Sequence, residues 1–102
     1  MDRKLVVFVP PGALEQVRNA LFLAGAGRIG DYDRCCWYTP GTGTFRPLAG
    51  AAPTLGTIGF EERVPELRLE TVFPEERRSE VIAALRRAHP YEEPAFDVYP
   101  LL

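Results

Sequence analysis

The sequence predicts an α+β fold in which a strand–helix–strand unit occurs twice and an antiparallel sheet carries two helices on one face. An unbroken apolar run and an alternating run each have the pattern of a strand, and apolar residues at helical spacing follow each of them. The two units also match each other at an offset of 64 positions, which aligns Pro10 with Pro74 and Leu21 with Leu85. This agreement predicts a repeated unit.

The first unit occupies the N-terminal quarter of the chain. Residues 5–9 are a continuous β-branched and aromatic run, typical of a strand buried on both sides or in the middle of a sheet. Apolar residues then recur at helical spacing, at Leu14, Val17, Leu21 and Ala24. Gly25 and Gly27 supply the stop signal, so we expect an amphipathic helix that covers the sheet.

The second unit repeats this order. Leu67, Leu69, Thr71 and Phe73 occupy alternate positions, with the charged Arg68 and Glu70 between the first three, which predicts a strand with one face in the core. Pro74 begins a helix whose core face is predicted to contain Val81, Ile82, Leu85 and Ala88. Pro90 prevents its continuation, and residues 96–98 give a short final strand.

The middle of the chain is expected to supply the remaining strands. We predict one strand over residues 34–39 and a candidate second strand over residues 57–62. A loop rich in Gly, Pro and Thr, residues 40–56, separates them, and loops of this length in small domains are usually functional. The complete order is that of a ferredoxin-like sandwich, with residues 1–102 forming a single domain.

Composition excludes several classes of function. The 102 residues have a formal net charge of −2 with both signs interleaved, so no basic stripe is available for nucleic acid. Five apolar residues before Pro10 are too few for a signal peptide or a membrane span. Cys35 and Cys36 are adjacent, which favours two free thiols. We therefore expect a cytoplasmic protein without nucleic-acid or membrane partners.

One segment has the composition of an anion-binding loop. Its candidate ligand-binding residues are Gly41, Thr42, Gly43, Thr44 and Arg46. Glycines allow backbone amides to turn toward an anion, and an arginine supplies a bidentate charge. The segment lacks the Lys-Ser/Thr and the following helix of a Walker loop. A plain hairpin or a subunit-contact loop is the alternative.

A second segment contains the single histidine of the chain. The candidate metal ligands are His89, Glu92, Glu93 and Cys36, and a divalent metal is the candidate cofactor. The histidine and the two glutamates of one chain are an incomplete set, so another subunit, or Cys35 or Cys36, would have to contribute. In the alternative interpretation, His89 caps the helix C-terminus as a cation.

The same residues bear on catalysis. A nucleophilic thiol needs a base within reach, and a cysteine with His89 is the available pair. Nothing in the sequence places these side chains together, and Cys35 and Cys36 are interpreted more simply as strand residues. We therefore predict no catalytic residue and no enzyme activity.

Three motifs in this order, spanning residues 25–33, 41–47 and 89–99, resemble one protein family; they read GAGRIGDYD, GTGTFRP and HPYEEPAFDVY. They look like the domain inserted into Nif-three-like (NGG-one-interacting-factor-three) proteins, here as a stand-alone chain. The resemblance implies a PII-like and CutA-like fold that commonly trimerises edge to edge. PII-like relatives bind nucleotides or anions in clefts between subunits, and CutA-like relatives are linked with divalent metals, but the matched motifs carry neither activity over to this chain. The dinuclear metal site of full-length members lies on a flanking domain that this chain lacks.

Three functions are compatible with these observations. The first is a self-associated binding and regulatory module, with a trimer favoured, that holds a small anion or a divalent metal at subunit clefts. The second is a structural assembly or adaptor protein without a ligand, with a Nif-three-like protein as one candidate partner. The third and least favoured is a metal-dependent hydrolase, because an active site needs several groups placed together.

Overall fold

A computed structural model describes all 102 residues and contains a four-stranded sheet and two helices. The strands are β1 (Asp2–Val9), β2 (Cys36–Phe45), β3 (Glu62–Pro74) and β4 (Phe96–Pro100), and the helices are α1 (Leu14–Leu23) and α2 (Arg78–Ala88). Every strand pair is antiparallel and the strand order is β2-β3-β1-β4. The predicted ferredoxin-like fold is confirmed.

Strand β1 lies in the middle of the sheet, as its unbroken apolar run predicts. It pairs with β3 on one side and with β4 on the other. Leu5, Val7 and Val9 point toward the helices and are fully buried. Because successive side chains alternate between faces, Lys4 and Phe8 lie on the opposite, open face of the sheet.

The core lies between the sheet and the two helices. Helix α1 contributes Leu14, Val17 and Leu21, and α2 contributes Val81, Ala84 and Leu85. Ile82, predicted on the same face of α2, is half-buried because the buried stripe continues through Ala84. Helix α1 ends in a Schellman motif, in which the Ala26 amide donates to the Leu21 carbonyl at 3.0 Å and Gly25 has φ +111°.

The middle of the chain differs from the prediction. Strand β2 continues to Phe45, so the predicted loop over residues 40–56 is wrong in its first six positions. The strand predicted over residues 57–62 is also wrong: the Phe60 amide donates to the Thr57 carbonyl in a turn, and β3 begins at Glu62. The connection between β2 and β3 is therefore residues 46–61.

Two prolines explain why the long hairpin was not recognised. The predicted strand over residues 34–39 stops before Pro40, yet β2 is an edge strand, where a missing amide is tolerated. Pro65 lies in the part of β3 that pairs with β2 alone, because β1 pairs only with residues 67–74 of β3. Residues 41–45 and 62–66 thus form a two-stranded arm. The chain measures 47 × 25 × 24 Å, and no helix is both long and apolar enough to cross a membrane.

Candidate functional site

A cavity of about 420 Å³ lies beside this two-stranded arm. Residues 44–48, at the end of β2 and just after it, form one wall, and Glu66 of β3 contributes to the floor. Tyr91, Glu92 and Glu93 line the opposite side, and the connection between β2 and β3 closes the cavity with Pro53 and its neighbours. The fold therefore brings two separately predicted segments to one place.

The β2–β3 connection is held against this site by specific hydrogen bonds. The Ala52 amide donates to Glu92 Oε1 at 3.2 Å, and the Thr54 hydroxyl donates to the Pro90 carbonyl at 2.8 Å. Within the connection, the Gly59 amide donates to the Pro47 carbonyl at 2.7 Å. These bonds position the connection as a wall of the cavity.

Gly43 has a different role from the one its sequence context indicated. Residues 41–44 lie in β2 and pair with β3, so they form neither an anion-cradling loop nor a turn. A Cβ atom on Gly43 would collide with the Glu66 carboxylate, which lies across this position. The glycine leaves room for Glu66 at the cavity, and a larger residue here would displace the flexible end of that side chain; Gly41 faces open space.

Glu66 is a half-buried carboxylate without a partner. It takes part in none of the ion pairs and none of the side-chain hydrogen bonds of the structure. Burial raises its pKa above the ordinary value of 4.5, since the charged form loses solvation. A carboxylate in this state gains from any hydrogen-bond donor that enters the cavity.

Tyr91 also has an unmet hydrogen bond. Its ring contacts His89, with centroids 5.1 Å apart, and Phe45, with centroids 6.3 Å apart. Its hydroxyl is buried and has no hydrogen-bond partner. Burial, followed by the nearby Glu66 carboxylate, raises the pKa of Tyr91, so the phenol stays protonated at neutral pH.

His89 is a structural residue in this chain. Its ring is only 5% exposed; Nε2 donates to the Phe8 carbonyl at 2.7 Å, and Nδ1 accepts from the Tyr91 amide at 3.1 Å. Burial lowers its pKa below 6.5, so the ring is neutral at neutral pH. His89 is the C-cap residue of α2 and its amide donates to the Leu85 carbonyl, but the predicted cationic state is wrong, because burial keeps the ring neutral and both nitrogens have other partners.

The four predicted metal ligands are not brought together within one chain. Cys36 begins β2, whereas Glu92 and Glu93 lie at the cavity near the other end of this strand. No group of three His, Cys, Asp or Glu side chains is close enough to hold a metal ion. Cys36 instead accepts a hydrogen bond from Arg18 Nε at 3.4 Å.

The charges around the cavity are mainly negative. Thr44 lines one wall, and Arg46, exposed and without an ion-pair partner, is the single basic residue of the lining. Three carboxylates, Glu66, Glu92 and Glu93, line the same cavity. One guanidinium against three carboxylates makes the site unfavourable for the small anion that the sequence indicated.

Comparison with known proteins identifies relatives of the chain, although no family model matches it. The chain is 54% identical over 99 residues to a protein of Mycobacterium tuberculosis named GTP cyclohydrolase 1 type 2 homolog, and 52% identical to its namesake in Bacillus subtilis. A Bacillus cereus protein related to NIF3 has 50% identity and a TM-score of 0.85. The chain is a homologue of one part of the NIF3-related proteins. It spans about a quarter of their length, that is 26% of each of the two named relatives and 25% of the B. cereus chain. The matched regions cover 97%, 97% and 98% of the chain itself.

Two further solved structures share only the fold with this chain. The periplasmic divalent cation tolerance protein CutA of Archaeoglobus fulgidus has a TM-score of 0.71 at 17% identity and is covered over 84% of its length. A Bacillus subtilis GlnK–ATP complex has a TM-score of 0.63 at 12% identity and is covered over 83%. They match 99% of the chain in each case, which confirms the PII-like and CutA-like topology.

Sequence reasoning missed the two central residues of the cavity. The predictions from the sequence do not include Glu66, and Tyr91 enters them only as part of the motif over residues 89–99. The available signal was Gly43, a glycine inside a strand, which often marks the close approach of another group. Identifying Glu66 as that group requires the β2–β3 register, which pairs Gly41 with Glu66 and Gly43 with Val64.

Proposed function

We propose that this NIF3-related chain is a self-associating binding and regulatory module that takes a small ligand into the cavity beside Glu66 and Tyr91. The observation that carries the proposal is the meeting of two motifs around one cavity of about 420 Å³. Thr44 and Arg46 come from one motif, and Tyr91 and Glu92 from the other. Ligand sites in proteins typically range from about 300 to 1,000 Å³.

The lining has the composition of a binding site for a small organic molecule. Apolar side chains form much of the wall, including Phe45, Pro47 and Leu55. A few polar groups converge among them, and two of these, Glu66 and the Tyr91 hydroxyl, have no partner in the protein. Apolar walls with a few unsatisfied polar groups provide both affinity and orientation.

Binding is favoured over catalysis by the state of the single histidine. Both ring nitrogens of His89 are engaged, so it is not free to activate a thiol. Cys35 and Cys36 lie at the start of β2, away from the cavity. The cyclohydrolase name of the relatives belongs to proteins of which this chain spans about a quarter.

Self-association is supported by the shape and the free edges of the sheet. The radius of gyration is 14.3 Å, against about 13 Å for a compact domain of this length. Strands β2 and β4 each leave one edge unpaired, and Trp37 and Tyr99 on them are exposed. We propose a homotrimer in the cytoplasm, where the free thiols of Cys35 and Cys36 remain reduced. The same features favour the second candidate function, an assembly element without a ligand that contacts a NIF3-related partner.

The test combines light scattering with thermal shift. Purified protein is screened against a panel of nucleotides, organic anions, organic amines and divalent metals. Ala95 lines the cavity, so Ala95→Trp should fill it, whereas Ala49→Trp places the same side chain on an exposed residue outside it. We expect a trimer that at least one compound stabilises in the wild type and in Ala49→Trp, but not in Ala95→Trp. A panel without any stabilising compound would favour the assembly function.

A further inference from the structure

We propose that the cavity takes a small organic cation, an amine or amidine with an apolar body. This inference rests on the proposed function and specifies its ligand class. Four observations carry it: the excess of carboxylates, the unpaired state of Glu66, the orphan hydroxyl of Tyr91 and the aromatic rings beside them.

The first argument concerns charge. Glu66, Glu92 and Glu93 face the cavity, and Arg46 is the single opposing charge. Arg46, Glu92 and Glu93 are all exposed, so solvent screens their fields, whereas Glu66 is half-buried and screened less. Potentials in clefts lined by one sign of charge attract ligands of the opposite sign. A cationic ligand is therefore favoured over an anionic one.

The second argument concerns hydrogen bonds. The Glu66 carboxylate has acceptor sites and receives no donor, while Glu92 already accepts from the Ala52 amide. The Tyr91 oxygen is a second acceptor without a partner. An ammonium group carries three donors, enough to occupy the open acceptor sites of the Glu66 carboxylate. A carboxylate or phosphate ligand would bring more acceptors to a site that already has too many.

The third argument concerns the walls. The rings of Phe45 and Tyr91 lie 6.3 Å apart at an interplanar angle of 51°, so they present two aromatic surfaces to one space. Aromatic faces attract cations, and the effect increases when the cation is desolvated. Leu55 and Pro47 add aliphatic surface for the body of the ligand. This combination selects an amine with an apolar group over a bare metal ion.

Three probes of similar shape separate the alternatives: 2-phenylethylamine is a cation, 2-phenylethanol is neutral and 3-phenylpropanoate is an anion. Calorimetry at neutral pH should show the amine binding at least about tenfold more tightly than the carboxylate, the size expected for one charge-assisted hydrogen bond. Glu66→Gln should lower the affinity for the amine by about tenfold, and Tyr91→Phe should lower it by a smaller factor. Glu61→Gln, outside the cavity, should leave this affinity unchanged. Circular dichroism melting confirms that each variant is folded.

Each other outcome overturns the inference in a distinguishable way. Tighter binding of 3-phenylpropanoate would refute the cation preference and leave the proposed binding function intact. Amine binding that Glu66→Gln does not weaken would place the ligand elsewhere. Absence of binding by all three probes would refute the organic-cation class, and the nucleotide and metal arms of the thermal-shift panel would then decide whether the binding function itself survives.

Discussion

Replacement of His89 by alanine should destabilise the fold strongly, because its ring joins β1 to the segment beside the cavity. Its backbone amide donates to the Leu85 carbonyl at the end of α2. Its ring binds the Phe8 carbonyl of β1 and the Tyr91 amide beside the cavity, at 2.7 and 3.1 Å. His89→Ala removes both ring bonds and leaves the Phe8 carbonyl and the Tyr91 amide without these partners.

The magnitude follows from these two bonds. Each intramolecular hydrogen bond contributes about 1 kcal/mol net, and a buried group left unsatisfied costs about 1–3 kcal/mol. The expected loss for His89→Ala is therefore about 2–4 kcal/mol in the free energy of unfolding. For a domain of about 100 residues, 1 kcal/mol corresponds to roughly 4–8 °C in melting temperature, so we expect a decrease of at least about 10 °C.

His89 also predicts a pH dependence with a defined sign. Its pKa is lowered by burial, so the unfolded chain takes up a proton at about 6.5 while the folded protein still excludes it. Stability contributed by the neutral ring is present above pH 6.5 and is lost as the pH falls through the lowered folded pKa. Because the chain contains one histidine, removing His89 should remove this component entirely.

The assay is urea denaturation followed by circular dichroism, at about pH 7.5 and about pH 5.5. His89→Gln is the matched control, because it retains a donor but does not titrate in this range. The difference in the free energy of unfolding between wild type and His89→Gln should shrink at the lower pH. Glu66 changes stability with pH in the opposite direction, but both proteins contain it, so its contribution cancels in this difference. A cost below about 0.5 kcal/mol for His89→Ala, or a pH-independent difference, would refute the reasoning.

Three further predictions concern the core, a turn and the cavity. Leu85→Ala, at a fully buried position, should lower the free energy of unfolding by about 2–5 kcal/mol in urea titrations, and a loss under 1 kcal/mol would contradict the assigned core. Gly27→Ala should lower the free energy of unfolding by more than about 1 kcal/mol, because Gly27 has φ +86° and a Cβ there would strike the Phe22 ring. Gly12→Ala is the control and should be nearly neutral, because a Cβ at Gly12 meets open space. Equal effects of the two substitutions would refute this argument. Glu66→Gln should stabilise the ligand-free protein at a pH above the raised pKa of Glu66, and this gain should be lost as the pH falls below 4.5. The same difference in melting temperature between wild type and variant above and below this range would contradict the burial of this carboxylate.

Local sequence patterns predicted the elements that make the fold. β1 is an unbroken apolar run, α1 has apolar residues at helical spacing before two glycines, and the same order recurs in the second half. The topology then follows, because two strand–helix–strand units pack well in few arrangements. The β2–β3 hairpin was not predicted correctly since Pro40 and Pro65 lie at unpaired edges, and edge status is a property of the assembled sheet.

The candidate site depends on long-range contacts and was less predictable. His89 and its partner Phe8 are 81 positions apart, and no pattern within either segment indicates that they meet. Gly43 and Glu66 come together through the register of β2 and β3. The sequence did single out both segments that line the cavity, but it assigned them to separate functions because their distance in space is set by the sheet.

The central claim, that the cavity is a binding site for an organic cation, is tested most directly by a titration of isotope-labelled protein with 2-phenylethylamine, followed by amide chemical shifts. We predict saturable shifts at Ala51, Glu66 and Tyr91, which line the cavity. The groove between α1 and α2, beside Leu23 and Ala83, should be unaffected. Shifts confined to that groove, or no saturable shift at all, would contradict the account.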